Sequence, residues 1–546
     1  MAFHGGTLMS RNFRNWAMAV ALASSGALLG AAPALAANTT YYVDAAAGAD
    51  ANAGTSQAEA WKTLAKVNTM TFTAGDKILL RAGGLWVEQL KPKGSGVSGN
   101  PITIGTYGDG PRPIIDGRNV PYAPAGAAAV LLQSVSYWTV SGLEVTNDTG
   151  TNNVGTVASP GKNRSGILVY NPSGKGKSGI IIRDNYVHDV NGCFVCTGAN
   201  PQTNGGIAVL ADVMNGLNNG ASSFNGVQIL DNVVERVGRT GIAFNDYSTG
   251  FLLAVSQDAL SKNVTIAGNR LKDVEGDGII LSGSIDNLIE RNRIDTAGLV
   301  TVSGTTQPGT VGMFIAKATN SIIQFNEVSG VRHNVVDGQA YDVDLWAYNS
   351  IVQYNYSHDN EGGAVMLMGG NFSGSNATVR YNLSVNDAFA ANGVFTLSSG
   401  LLRDSKIYNN TVYIAPGLTS RPTYQLGWDG NNNNTWSFQN NVIVNLGTGT
   451  WEQPKGSGTT ISHNLIFGNH TAGEPVDAYK ITADPQMIFP PTVAPEGLDA
   501  VAGYGLASSS PAVGSGVVIV DNGERDYFGQ PVSQVVAPTR GFHEAH

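Results

Sequence analysis

Charge is scarce in this chain. Asp, Glu, Lys and Arg make up 13% of its 546 residues, the net charge is −9, and no basic run occurs. Nucleic-acid binding needs clustered Lys and Arg to neutralise phosphates, so that partner class is not expected. Cysteine is nearly absent, with only Cys193 and Cys196. A CxxC spacing is compatible with a local disulfide, free thiols, a redox pair or half a zinc site. No second CxxC or CxxH pair completes a tetrahedral set, which favours the disulfide or free thiols. Long apolar runs are missing beyond the first forty residues, so no membrane span is expected in the mature chain. Disorder is not expected either, because hydrophobic residues reach 42%.

What is present is a strand-and-turn vocabulary of Asn, Gly, Val, Ile, Thr and Ser. The N-terminus reads as an export signal over residues 1–36. Arg11 and Arg14 precede an alanine-rich apolar stretch, and Ala34-Leu35-Ala36 supplies a small-x-small cleavage pattern. A secreted or periplasmic location is therefore expected.

One pattern repeats through the middle of the chain: apolar, two residues, Asn, one residue, apolar. Its asparagines are Asn185, Asn232, Asn269, Asn292, Asn326, Asn355, Asn382, Asn410, Asn441 and Asn464. The residue three before each is apolar. The residue two after is apolar except at Ser357 and Ser384. The spacings run from 23 to 47 residues, unlike the 3.6-residue period of helices. They fit a coil of roughly 22 residues per turn, with insertions at some corners and two or three short strands per turn. An internal corner amide has both donors and an acceptor, so it can bond to its equivalents above and below. The fold class expected is all-β: a single-stranded right-handed parallel β-helix solenoid. A helix at about residues 60–68 is expected to cap its N-terminal end. The domain reading is a cap with first rungs over 37–125, the coil over 126–470, and a closing segment over 471–546 packed along the outside or on the last rung.

Several segments carry a family resemblance. These are Tyr41-Tyr42-Val43-Asp44, Trp61-Lys62-Thr63-Leu64, Gly75-Asp76-Lys77-Ile78 through Trp86, Asn100-Pro101-Ile102-Thr103-Ile104 and Ile114-Ile115-Asp116-Gly117. Near the end come Ser510-Pro511-Ala512-Val513, Arg525-Asp526-Tyr527-Phe528-Gly529 and Arg540-Gly541-Phe542-His543-Glu544. Together they resemble the secreted right-handed parallel β-helix superfamily of pectate lyases, polygalacturonases and related carbohydrate enzymes. The resemblance implies the fold, export and a polysaccharide or oligosaccharide partner. Polygalacturonases carry adjacent aspartates and a histidine-bearing turn. Here Asp342 and Asp344 are separated by one residue, so that mechanism does not carry over.

The densest polar stretch runs from His333 to Gly363. Strand alternation puts Val343 and Leu345 in the core and Asp342, Asp344 and Trp346 outward. Glu361 follows Asp344 by 17 residues, which predicts a place on the next rung. That rung offset predicts a separation of roughly 5–9 Å from the aspartates, suited to glycoside hydrolysis. Asp342, Asp344 and Glu361 are therefore the candidate catalytic residues. Trp346, Lys317, His358 and His333 are candidate substrate contacts, with Lys317 opposite Trp346 one rung earlier. Asp277, three rungs before Glu361, and Arg239, one rung before Asp277, form a candidate adjacent subsite. The Asp277-Gly278 pair is equally a turn signal. No metal site or cofactor is expected, calcium being the one cation these acids would otherwise bind. Long insertions between Asn185 and Asn269 and between Asn292 and Asn326 are expected to wall the groove. Hydrolysis of glycosidic bonds is the leading reading. The alternatives are a polysaccharide lyase or uronate epimerase, and a non-catalytic adhesin.

Overall fold

The computed structural model describes residues 38–546 apart from 123–125, 173–174, 197–203, 212–221, 247–260, 302–308, 334–335, 370–375, 399–401, 427–433, 454–455 and 457. The expected signal segment lies outside the described residues. So do parts of both insertions expected to wall the groove.

The chain winds into a parallel β-helix with three long sheets of 14, 13 and 10 strands. One rung shows the order. The strand Thr319–Gln324 belongs to the first sheet, Glu327–Val331 to the second and Gln339–Val343 to the third. The next rung then begins with Ile351–Gln353 on the first sheet, in parallel register with Thr319–Gln324. Strands linked by such crossovers wind right-handed, because the strand twist favours that hand.

The repeated asparagine occupies the corner between the first and second sheets. All ten corner amides form one ladder. Each Nδ2 donates to the Oδ1 of the next asparagine at 2.9–3.1 Å, from Asn185 through Asn464. Its second hydrogen goes to a main-chain carbonyl of the preceding rung, as from Asn326 to Ile289. The residue before each ladder asparagine has a left-handed backbone, with φ between 52° and 68°. Nine of these are not glycine, from Asp184 to His463. A left-handed non-glycine residue costs on the order of 1 kcal/mol, which the buried amide bonds offset. The apolar residue three positions earlier faces the core. Ile266, Ile289, Ile323 and Val352 are fully buried there.

The ladder ends on a residue that the repeat did not reveal. Asp477, in the closing segment, accepts from the Asn464 amide nitrogen Nδ2 at 3.1 Å and from its main-chain N–H at 2.8 Å. A carboxylate suits the last position, since it receives hydrogen bonds and needs no further acceptor. The two polar exceptions in the repeat also have a reason. Ser357 and Ser384 donate inside the coil to Asp387, at 2.6 and 2.7 Å.

At the N-terminal end the helix is Leu64–Thr69. It starts later than expected because Trp61 is bridged to Val43, and Thr63 caps it by accepting from the Lys66 N–H at 3.0 Å. Leu64 and Val67 are its buried face. Beyond Thr471 the chain packs along the outside of the coil. Val501, Tyr504, Leu506 and Phe542 share a core with Tyr356, Tyr381, Leu383 and Tyr413. Cys193 and Cys196 form a disulfide.

Candidate functional site

The third sheet positions the site. Its outward column is apolar for six rungs: Leu131, Leu168, Ala208, Ala243, Ile280 and Phe314. The seventh member is Asp342, followed by Met366. A carboxyl between Phe314 and Met366 has little water to stabilise its charge. Burial therefore raises Asp342 well above the usual carboxylate range, and Asp344, Asp337 and Asp277 add repulsion. Asp342 is 4% exposed, and its Oδ1 has no hydrogen-bond partner among the described residues.

Val343 turns into the core, as alternation predicts, and Asp344 follows on the outer side. Asp344 is half-buried, its N–H held by the Ile315 carbonyl at 2.9 Å. Burial pushes its carboxyl up to about 6, against the Leu345 N–H and Lys317, which favour the ionised form. At the other end of the strand stands Asp337, also half-buried. Burial, reinforced by Asp344 and Asp277, pushes it up to about 7. Gly338, at φ 107°, takes a conformation that side-chain residues avoid and turns the chain from Asp337 into Gln339–Val343. Asp337 was not among the sequence candidates; its Asp-Gly pair reads as a turn. The overlooked signal was its place seven residues before Asp344, at the opposite end of one strand.

Lys317 and Trp346 meet as expected. The Lys317 N–H donates to the Leu345 carbonyl at 2.9 Å, and its Nζ lies 6.0 Å from the Trp346 ring centre. Burial lowers Lys317, while Asp246 and Asp344 oppose the shift. A cation on an aromatic face beside a carboxylate can orient a sugar by stacking and hydrogen bonding.

Glu361 does not join this group. The register sets Asp342 level with Met366 and Val343 level with Leu367, so Asp344 follows at the level of Met368. Glu361 comes before the strand Gly363–Met368 begins. On that register Glu361 stands level with Asp337 rather than with Asp344. The carboxylate also points elsewhere, accepting from Arg332 at 2.6 Å and from the His333 N–H at 2.8 Å. What the residue count did not show is that this carboxylate is taken up by Arg332 and His333. His333 does reach the site's edge, its Nδ1 lying 2.5 Å from the Asp337 carbonyl.

His358 lies on a different face. Its strand Tyr356–His358 belongs to the second sheet, where the ring stacks on Tyr356 at 4.7 Å and contacts Asp359 and Glu327. His188 repeats the arrangement with Tyr186 and Asp189. A motif repeated at one corner of two rungs is structural, so His358 is not a substrate contact. Arg239 and Asp277 pair with each other, and both are fully buried. Arg239 also lies 5.3 Å from the Phe194 ring. With no exposed surface, the two do not form an adjacent subsite. No group of three or more His, Cys, Asp or Glu suited to a metal occurs among the described residues. No helix among them is long and apolar enough to cross a membrane.

Comparison with known proteins agrees with this architecture. The family described as a right handed beta helix region matches residues 215–412. A lacto-N-biosidase of Bifidobacterium longum subsp. longum is 32% identical over 528 residues, covering 82% of this chain and 31% of the relative. The chain thus spans about a third of the length of that relative. Among solved structures, a GH136 lacto-N-biosidase from Eubacterium ramulus aligns with a TM-score of 0.59 at 23% identity, over 78% of this chain and 67% of its own. XylC in complex with xylose aligns with a TM-score of 0.51 at 12% identity, over 92% of this chain and 98% of its own. Both structures share the fold.

Proposed function

We propose that this chain, a right-handed parallel β-helix protein of the superfamily that includes pectate lyases, is an exported glycoside hydrolase acting on an oligosaccharide. The observation that carries the reading is the pair Asp337 and Asp344, whose carboxyls lie close enough for the charge of Asp344 to raise Asp337, with Lys317 and Trp346 beside Asp344. Glycoside hydrolysis needs one carboxyl that keeps its proton near neutrality and a second that is ionised. Asp337, the higher of the two, delivers its proton to the leaving glycosidic oxygen. Asp344 acts at the anomeric carbon, by direct attack or by drawing a proton from water. Asp342 is buried and protonated. It presents no charge to substrate and leaves Asp344 as the ionised member.

The similarity to a lacto-N-biosidase supports a substrate ending in lacto-N-biose. Incubation with such an oligosaccharide should release the disaccharide and a new reducing end, with no unsaturated-uronate absorbance. Absorbance without that disaccharide would replace hydrolysis by elimination. Neither product across neutral and acidic glycans would leave a binding protein.

A further inference from the structure

We propose that Glu361 is a positioning residue, which through Arg332 and His333 fixes the loop presenting the Asp337 carboxyl. The inference rests on the hydrolytic reading above. Three observations converge on the loop. Glu361 Oε2 accepts from the His333 N–H at 2.8 Å while Oε1 accepts from Arg332 Nη1 at 2.6 Å, so one carboxylate clamps two consecutive residues. His333 Nδ1 is 2.5 Å from the Asp337 carbonyl. A carbonyl only accepts, so Nδ1 carries the hydrogen and the clamp extends to Asp337 itself. From the other side, Asn392 Nδ2 donates to the Val336 carbonyl at 2.9 Å and the Asp337 carbonyl at 3.3 Å.

Glu361 is itself immobilised. Its N–H donates to the Val331 carbonyl at 2.9 Å, and its carbonyl accepts from Ala390 and Ala391 at 3.2 and 3.0 Å. The loop's exit is tied as well, Gly338 donating to Thr310 at 2.9 Å and accepting from Gly362 at 3.0 Å. The Asp337 side chain is thereby suspended between two fixed points. Proton delivery to a leaving oxygen depends on placement at the ångström scale, so slack here falls on the acid step rather than on sugar binding.

The dependence on leaving group isolates that step. A sugar alcohol departs only with a proton, whereas 4-nitrophenolate departs largely without one. The full chain carrying Glu361→Gln should lose about 10–100-fold in kcat on an oligosaccharide ending in lacto-N-biose, with KM little changed. On 4-nitrophenyl lacto-N-bioside the loss should be at most about 3-fold. Equal losses on both substrates would make Glu361 merely structural and overturn the proposal, as would no loss on either. Should the Glu361→Gln chain fail to fold, Asn392→Ala carries the test. It should show the same selectivity at about 3–10-fold, and an unselective loss would overturn the proposal. Failure of the wild type to cleave either glycoside would instead overturn the hydrolytic reading, and the positioning role with it.

Discussion

Replacing Asn326 by aspartate changes one NH2 to oxygen and almost nothing in shape, yet the ladder makes it costly. Asn326 receives from the Asn292 N–H and Nδ2 at 2.9 and 3.1 Å. It gives to Asn355 Oδ1 at 3.0 Å and to the Ile289 carbonyl at 2.9 Å. An aspartate in its place could still receive both bonds. It could give neither as a carboxylate, and would set an oxygen against two buried oxygens. Asn355 Oδ1 keeps the Asn326 N–H at 2.9 Å, but two hydrogen bonds to buried oxygens are lost and a carboxylate oxygen is set against them, amounting to about 3–5 kcal/mol. A solenoid opens rung by rung, so local hydrogen exchange is a better measure than a global midpoint. Amides of peptides spanning residues 320–330 and 350–360 should lose protection by about 10²–10⁴-fold in the Asn326→Asp chain. Those at the N-terminal cap should be unmoved. Protection within about 2-fold of wild type at all these sites would refute the donor direction assigned to the ladder.

Other consequences follow from charge. The proposed hydrolysis needs Asp344 ionised and Asp337 protonated, so kcat/KM should rise as pH passes about 6 and fall as it passes about 7. These limbs belong to the coupled pair rather than to either acid alone. Lys317→Met removes the cation that favours ionised Asp344, so the acidic limb should move to higher pH; a limb that stays fixed would detach Lys317 from the site. His358 offers a stability test remote from the chemistry. Burial lowers its pKa, but Asp359 and Glu327 outweigh burial and push it up to about 9 from 6.5. Its protonated form is therefore favoured in the folded state. That contribution, up to about 3 kcal/mol, is fully present below pH 6.5 and lost as pH rises to 9. Thermal unfolding of His358→Gln should lack this decline.

The coil was legible in sequence because one corner residue repeats under a hard constraint. The interior amide must both give and receive, and only Asn does so at that size. The site was legible in part for a similar reason. The period of two within the strand sends Val343 inward and Asp342 outward; the strand ends there, so Asp344 follows past its end and Leu345 stays out of the core, where alternation would place it. What failed were quantities the period does not contain. Counting residues placed Glu361 on the right rung but could not show that its carboxylate turns to Arg332 and His333. The left-handed positions before each asparagine are filled, with one glycine excepted, by Asp, Arg, Phe, Tyr, Asn or His, so composition held no warning of the turn. Asp337 hid in a turn signal. The burial of Arg239 and Asp277 depends on neighbours such as Phe194, contributed from another rung.

Hydrolysis by the carboxyls flanking Gln339–Val343 is tested most directly by one substitution. The measurement is turnover of an oligosaccharide ending in lacto-N-biose by Asp344→Asn, in a chain whose thermal unfolding matches the wild type. A fall in kcat of at least about 10³-fold is expected, since the group acting at the anomeric carbon is gone. Turnover within about 10-fold of wild type would contradict that role and place the chemistry elsewhere on the coil.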